Sequence, residues 1–352
     1  MTNAVKNRVT TPERKATPLV INGAMDVAQR STSVTGLGDG DEGYVTVDRF
    51  RHTAAASAGR FTSKQTAVAD LDGFQNCLEL DCTTADTSIA STELLQIDYR
   101  VEGQDMQYFK KGETNAEYIT VSFYAKADAA VAYACELRDI DNGRHISKLF
   151  TTGTDWTHHV ISFPGDTTGN FGDDANESLR VSLILHAGSN FTEGTLAAAW
   201  ASYNDANSAV GIGSFYAATT RSLKITGFQI EAGDYNASTN PPFQYEEFPA
   251  SKTRCQRYFI GDSELFPATQ LTASTAIQLT PQFRTEMRAA PTATAVATAG
   301  IGLVGGSYTT TTLAVSNIGI NGGRAAVNMD TSTGELKQLC QQGLPLTLDA
   351  EL

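Results

Sequence analysis

The chain has 352 residues, 41% of them hydrophobic and 18% charged, so it holds enough apolar material for a sizeable core and is not read as disordered. Its 39 acidic residues against 26 basic ones leave a net charge of -13, which speaks against nucleic acid as a partner, because that affinity rests on Lys and Arg neutralising phosphates. No stretch approaches eighteen consecutive apolar residues, so no membrane insertion is expected, and five cysteines without a C-x-x-C pair suggest neither a zinc cage nor a disulfide framework.

Residues 1–18 place Lys6, Arg8, Arg14 and Lys15 around Pro12 and Pro18, with little to bury and no apolar core of a secretory signal. They read as an extended arm, either plain disorder or a peptide that docks on a partner. VINGAMDVAQR (20–30) follows and reads as a first strand and an Asn-Gly turn. GLGDGDEG (36–43) then sets Asp39, Asp41 and Glu42 among glycines, a loop that could offer oxygens to calcium although it lacks the EF-hand pattern.

Strand signals recur from there. In EYITVSFYAKAD, Ile119, Val121, Phe123 and Ala125 alternate with Thr120, Ser122, Tyr124 and Lys126, which puts one face in a core and the other towards water. LRVSLILHAG repeats the device, with Leu179, Val181, Leu183 and Leu185 opposite Arg180, Ser182 and His186. Shorter alternations occupy 44–52, 76–82, 94–102, 131–139 and 156–163, with no long helical period between them, so an antiparallel jelly-roll sandwich is predicted. Cys77 and Cys82 fall in one such strand and are expected to be reduced, half-buried thiols. Residues 188–220, rich in Gly, Ala, Ser and Asn, form a long loop and the expected place for a groove. RSLKITGFQIEAG (221–233) is the expected closing strand, with Gly227 as a bulge.

Pro241, Pro242 and Pro249 mark the expected boundary, giving an arm 1–18, a jelly roll 19–250 and a small C-terminal β-domain 251–352. The last reads as Thr-rich strands around 275–287, 310–322 and 324–329 with few large apolar groups, a thin core of the sort that gains from oligomerising.

No catalytic constellation emerges. His158 and His159 are neighbours in a strand and should face opposite ways, and no G-x-S-x-G, H-E-x-x-H or phosphate loop is present. The acidic pairs Asp139 with Asp141 and Asp173 with Asp174 could supply a glycosidase's two carboxylates, but read better as turn residues. Among aromatic groups that could face a sugar ring, Trp200, Tyr203 and Tyr216 are the glycan candidates; Tyr133 is a further one, and Trp156 is expected in the core.

Four ordered landmarks then carry a resemblance. LVINGAMDVAQRSTS leading to YVTVDRF supplies Asn22, Gly23, Met25, Ala28, Gln29, Arg30, Tyr44, Asp48, Arg49 and Phe50; TGFQIEAG (226–233) leads to PPFQYEEF (241–248), then CQRYF (255–259), then MRAAPT (287–292). The set resembles phage and prophage virion structural proteins of the tail-fibre type with a carbohydrate-binding-module-like jelly roll. PPFQYE departs from the T-P-F-E of that family. The resemblance implies a homotrimer in the virion, other virion proteins as partners, a host-surface glycan as ligand, and a structural calcium near the N-terminal strand, where Asp26 lies; no other cofactor is expected. Lys6, Arg8, Arg14 and Lys15 would then serve as the attachment element. The leading expectation is a non-enzymatic adhesion component, with a capsid decoration or tail-assembly protein without ligand, or a polysaccharide depolymerase, as alternatives.

Overall fold

Strict alternation of apolar and polar residues can bury only one face of a strand, so strands of this pattern must stack in pairs of sheets. The computed structural model describes residues 17–261 and, beyond them, 270–271, 276–279, 283, 285–295, 300–303, 306–329 and 346–352. The chain divides into two units, one up to Phe248 and one from Pro249 onward.

The first unit is an antiparallel jelly-roll sandwich. Its strands are β1 (Ser33–Leu37), β2 (Glu42–Gly43), β3 (Phe50–Ala55), β4 (Arg60–Ala67), β5 (Asn76–Thr84), β6 (Leu94–Glu102) and β7 (Ile119–Ala127). They continue as β8 (Ala132–Asp139), β9 (Arg144–Thr151), β10 (Thr157–Phe163), β11 (Glu177–Ala187), β12 (Ala201–Ser202) and β13 (Ser222–Ala232). One sheet has six strands in the order β1-β4-β5-β13-β7-β10, the other seven in the order β12-β9-β8-β11-β6-β3-β2. Leu179, Val181, Leu183 and Leu185 of β11, Leu95, Ile97, Tyr99 and Val101 of β6, and Ile119, Val121, Phe123 and Ala125 of β7 all enter one core. Cys77, Cys82 and Cys135 are buried free thiols, and burial pushes Cys82 up to about 11.

The segment 20–30 forms the expected Asn-Gly turn, at Asn22 and Gly23, but not the expected strand. Leu19, Val20, Ile21, Met25 and Val27 are buried, yet their backbone joins no sheet ladder; Ile21 N donates to the Tyr99 hydroxyl at 2.7 Å. Asn22 holds the turn at φ 63°, a region Asn tolerates, while its Nδ2 donates to Val27 O and Asp48 O, each at 2.9 Å, and its Oδ1 accepts from Val27 N. Gly23 lies so close to β13 that a Cβ there would sit 2.2 Å from Phe228 O, and Phe228 N donates to Gly23 O. Gly227, at φ 63°, lies where the β13 register against β7 shifts between Thr226 and Gln229.

In the second unit, Phe259–Ile260 and Thr292–Ala295 flank Leu346–Asp349 in a three-stranded sheet, and a five-stranded sheet runs Gln270–Leu271, Ala276–Leu279, Gly322–Met329, Gly306–Gly319, Gly300–Leu303. Among described side chains its core is small: Ile260, Met287, Leu348 and Ala350, with Phe283 and Ala293 against them. Arg288 Nε caps Ala350 O at 2.8 Å.

Two buried polar sites bear on stability. Lys111, 3% exposed, ends in a cage made by Asp139 Oδ2 at 2.7 Å, Asp166 Oδ2 at 3.3 Å, Thr168 O at 2.6 Å and Gly169 O at 2.9 Å. Burial alone would raise the Asp166 carboxyl; hydrogen bonding from Arg144 and the Lys111 charge outweigh it and hold it low. Removing the ammonium leaves the buried Asp139 carboxylate without its cation and Asp166 with Arg144 alone, so Lys111→Met is expected to cost about 3–5 kcal/mol in urea unfolding, and a loss below about 1 kcal/mol would contradict this assignment.

His52 lies buried with Nε2 2.9 Å from Ser63 Oγ, and burial first, then Arg51, lowers it from 6.5 to about 4. Between those values the unfolded chain binds a proton that the folded chain refuses, so stability is full above pH 6.5 and falls as pH drops towards 4. Urea midpoints across this window should fall less steeply with acid in His52→Gln than in the wild type; parallel curves would refute the assignment.

Candidate functional site

The pleat that buries one face of the seven-stranded sheet turns every second residue outward, and the strand register lines these residues into rows. One row runs His145, Arg138, Arg180, Arg100 across β9, β8, β11 and β6. The next runs Ser147, Glu136, Ser182, Asp98, Arg51, and the third Ala134, Ile184, Gln96, Thr53, Glu42. The loop after β11 folds back over one end because β12 pairs with β9, Ala201 opposite His145. Together they enclose a groove of about 360 Å³, walled by Phe191, Tyr203, Asp205 and Ser208 from the loop.

Most charges in the groove are engaged. Arg180 forks onto Glu177, Nε to Oε1 at 2.6 Å and Nη2 to Oε2 at 2.9 Å, and Arg100 reaches the same carboxylate at 3.5 Å. Arg51 binds Glu42 at 2.7 Å, and Asp98 accepts from Ser182 Oγ at 2.6 Å and Gln96 Nε2 at 2.9 Å. Glu136 lies 2.8 Å from His145 Nδ1, and Tyr203 donates its hydroxyl to Asp205. Arg138 differs. Its guanidinium carbon lies 3.6 Å from the Tyr203 ring centroid, yet among the described residues its side chain forms no hydrogen bond or ion pair, and its Nε is buried. Arg100 sits below the usual guanidinium range, chiefly through burial and further through Arg180, although Glu177 opposes the shift. Burial chiefly, with the Asp205 bond, raises the Tyr203 phenol, so the ring stays neutral. The arrangement offers forked donors, carboxylate acceptors and one aromatic face to a polar ligand.

The structure separates the three aromatic glycan candidates. Tyr203 lies in the groove. Trp200 is half-buried against the main core and donates Nε1 to Pro164 O at 2.7 Å, so it anchors the loop. Tyr216 has no surface at all: Ser214 caps a short turn, Phe215–Ala217, that tucks both Phe215 and Tyr216 inward, and the Tyr216 ring meets the edge of His186 at 5.0 Å. Its assignment to glycan binding is therefore corrected to a core role, as is that of Tyr133, 1% exposed. Trp156 donates Nε1 to Asp70 at the surface instead of entering the core.

The carboxylates proposed for calcium are engaged separately. Asp26 accepts from Asn76 Nδ2, Asp39 from Ala56 N and Asp41 from Gly38 N, and no group of three His, Cys, Asp or Glu side chains among the described residues is placed to hold a metal. Asp139 belongs to the Lys111 cage, Asp141 accepts from Gly172 N, and Asp174 accepts from Asn176, which makes them structural groups. His158 stacks on Tyr124 while His159 packs against Phe123 and Phe150, on opposite faces as expected. Lys6, Arg8, Arg14 and Lys15 lie outside the described residues. Arg51, Arg100, Arg138 and Glu136 were not anticipated, although Arg100, Arg138 and Glu136 occupy the outward phase of strands whose inward phase is apolar; on β3 the inward phase beside Arg51 includes His52.

No protein-family model and no curated protein sequence matches the chain. Solved structures similar to it include the enzymatically active domain of bacteriophage CBA120 tailspike protein 4, at 9% identity and a TM-score of 0.31, over 61% of this chain and 21% of that one. The chain thus spans about a fifth of that tailspike structure. It is also similar to the carbohydrate-binding module TmCBM61 in complex with beta-1,4-galactotriose, at 9% identity and a TM-score of 0.31, over 62% of this chain and 99% of that one. A third is the family 11 carbohydrate-binding module of the Clostridium thermocellum cellulosomal cellulase Lic26A-Cel5E, at 12% identity and a TM-score of 0.29, over 59% of this chain and 99% of that one.

Proposed function

We propose that the chain is a non-enzymatic virion protein of a tail fibre or similar adhesion appendage, and that the groove on its seven-stranded sheet grips a host-surface glycan. The observation that carries the ligand reading is the Tyr203 ring held in a groove lined by donors and acceptors suited to sugar hydroxyls. Glu42, Glu136 and Asp205 already serve Arg51, His145 and Tyr203, which supports retention without cleavage. The ordered sequence landmarks support the appendage reading, and the scarcity of large apolar residues in the sequence of the C-terminal β-domain supports assembly as a trimer.

An array of bacterial surface glycans, probed with wild type and Tyr203→Ala, tests the ligand reading. The wild type should be retained on a subset, and Tyr203→Ala should bind that subset about tenfold more weakly with an unchanged thermal midpoint, whereas Trp200→Ala should lower the midpoint. Absence of retention by the wild type, or equal retention by Tyr203→Ala, overturns it. Quantifying the chain in purified particles tests the appendage reading: a copy number divisible by three is expected, and absence or another number rejects it.

A further inference from the structure

We propose that the glycan held in this groove carries a carboxylate, as a uronic or ulosonic acid residue does, and that Arg138 is the side chain that binds it; this rests on the glycan-binding reading above.

The groove places three arginines directly opposite one another on adjacent strands, Arg138 against Arg180 and Arg180 against Arg100. Like charges in such a row repel, and a fold under no other demand would neutralise each of them. Two are paired, sharing the one carboxylate of Glu177. Arg138 is left out.

The groups that could have neutralised it are turned elsewhere. Glu136, two residues away on the same face of β8, is held by His145 Nδ1 at 2.8 Å, and Asp205 on the covering loop accepts from the Tyr203 hydroxyl. Tyr203 itself stacks on the guanidinium at 3.6 Å, which fixes its plane while leaving its hydrogen-bonding edge without a protein acceptor. A planar, fixed, unpaired fork is matched by a carboxylate, which accepts two parallel N–H bonds from it.

Charge elsewhere narrows the ligand class. The chain as a whole carries -13, so a densely charged polyanion is repelled at long range, and attraction is confined to the Arg138 end of the groove. A polysaccharide with one carboxylate per repeat, its other contacts being hydroxyls, satisfies both conditions.

The test uses the full chain and a panel of polymers: uronate- and ulosonate-containing polysaccharides, the same polymers with carboxyl groups reduced to alcohols, a neutral galactan, and dextran sulfate. Affinity electrophoresis at physiological salt should show retention by at least one carboxylated polymer and loss of about tenfold or more on carboxyl reduction. Arg138→Met should lose a similar factor for the carboxylated polymer and nothing for its reduced form, and Arg138→Lys, a point charge without the fork, should fall between. Equal retention of native and reduced polymers, retention of neutral polymer alone, or preference for dextran sulfate overturns the carboxylate assignment and leaves glycan binding standing. Failure to retain any polymer overturns both readings. Thermal midpoints equal to wild type confirm that the variants fold; should Arg138→Met unfold, Arg138→Lys carries the comparison.

Discussion

One ring bridges the two sheets of the sandwich. Phe228, from the middle of β13 in the six-stranded sheet, stacks on Phe123 at 5.7 Å, meets Phe50 edge-on at 5.5 Å and reaches Tyr99 at 5.9 Å, so it touches both sheets at once. Removing a ring so placed costs about 3–5 kcal/mol, a large share of the net stability of any domain. Its inward direction depends on backbone that only small residues permit. Gly227 takes φ 63° and leaves no room for a Cβ beside Phe74, and Gly23 lies against the Phe228 carbonyl. Two of the sequence landmarks therefore meet in space: the N-terminal Asn-Gly turn locks onto the T-G-F-Q strand, and Asp48 and Arg49 close the same cluster, with Gln29 N donating to Asp48 Oδ1 at 2.9 Å. They specify the scaffold, and the groove lies on the opposite face of the other sheet's strands.

That division lets the outer face be electrostatically unfavourable. Three opposed arginines on one row cost stability, but the strands that carry them also bury Leu179, Val181, Leu183, Ile97, Tyr99, Cys135 and Leu137 on the reverse side. At roughly 1.5–3 kcal/mol for each large apolar side chain, the inner face outweighs a few tenths to one kcal/mol for each repulsive pair. Lys111 shows the opposite arrangement, a buried cation whose partners are all in place. The contrast between a fully satisfied buried ammonium and an unsatisfied guanidinium at the groove is what distinguishes structural from functional charge in this molecule.

The sandwich was legible because β6, β7, β8 and β11 alternate cleanly. β4 and β9 were not. On β4 the inward positions are Phe61 and Ser63, and Ser63 is buried through hydrogen bonds to Thr46 and His52 rather than through apolar contact, so no hydrophobic period appears. β9 likewise spends an inward-phase position on Lys148, whose ammonium bonds Ser162 O. Residues 20–30 read as a strand leading into a turn because of their apolar opening, but the burial of Val20, Ile21, Met25 and Val27 comes from the turn held by Asn22 and not from a sheet ladder. Within the groove Tyr203 was visible as an aromatic in a long loop, whereas Tyr216, in the same loop with the same chemistry, is core. The local Ser214 cap turns Tyr216 inward and its packing against His186, a tertiary contact, completes the difference. The arginine row needed strand pairing, since Arg100, Arg138 and Arg180 are far apart in sequence and become neighbours through register alone.

The loop that covers the groove is itself stitched to the sheet. Tyr203 N donates to Gly143 O at 2.8 Å, Ser147 Oγ to Ser208 O at 2.8 Å, and Ala209 N to Phe191 O at 3.0 Å, so both flanks of the Tyr203 segment are tied down. Beneath the ring, His145 meets Tyr203 edge-on at 5.0 Å and is in turn held by Glu136. Glu136, His145, Tyr203 and Arg138 thus form a continuous chain in which each group fixes the next. Ordering a tyrosine and an arginine on binding would cost about 0.5–1.5 kcal/mol for each side chain; here that ordering is supplied by the fold before any ligand arrives. A long loop of small residues, in isolation the most mobile part of such a chain, has become the rigid wall of the site because its backbone polar groups had no cheaper way to be satisfied than by bonding to the sheet edge.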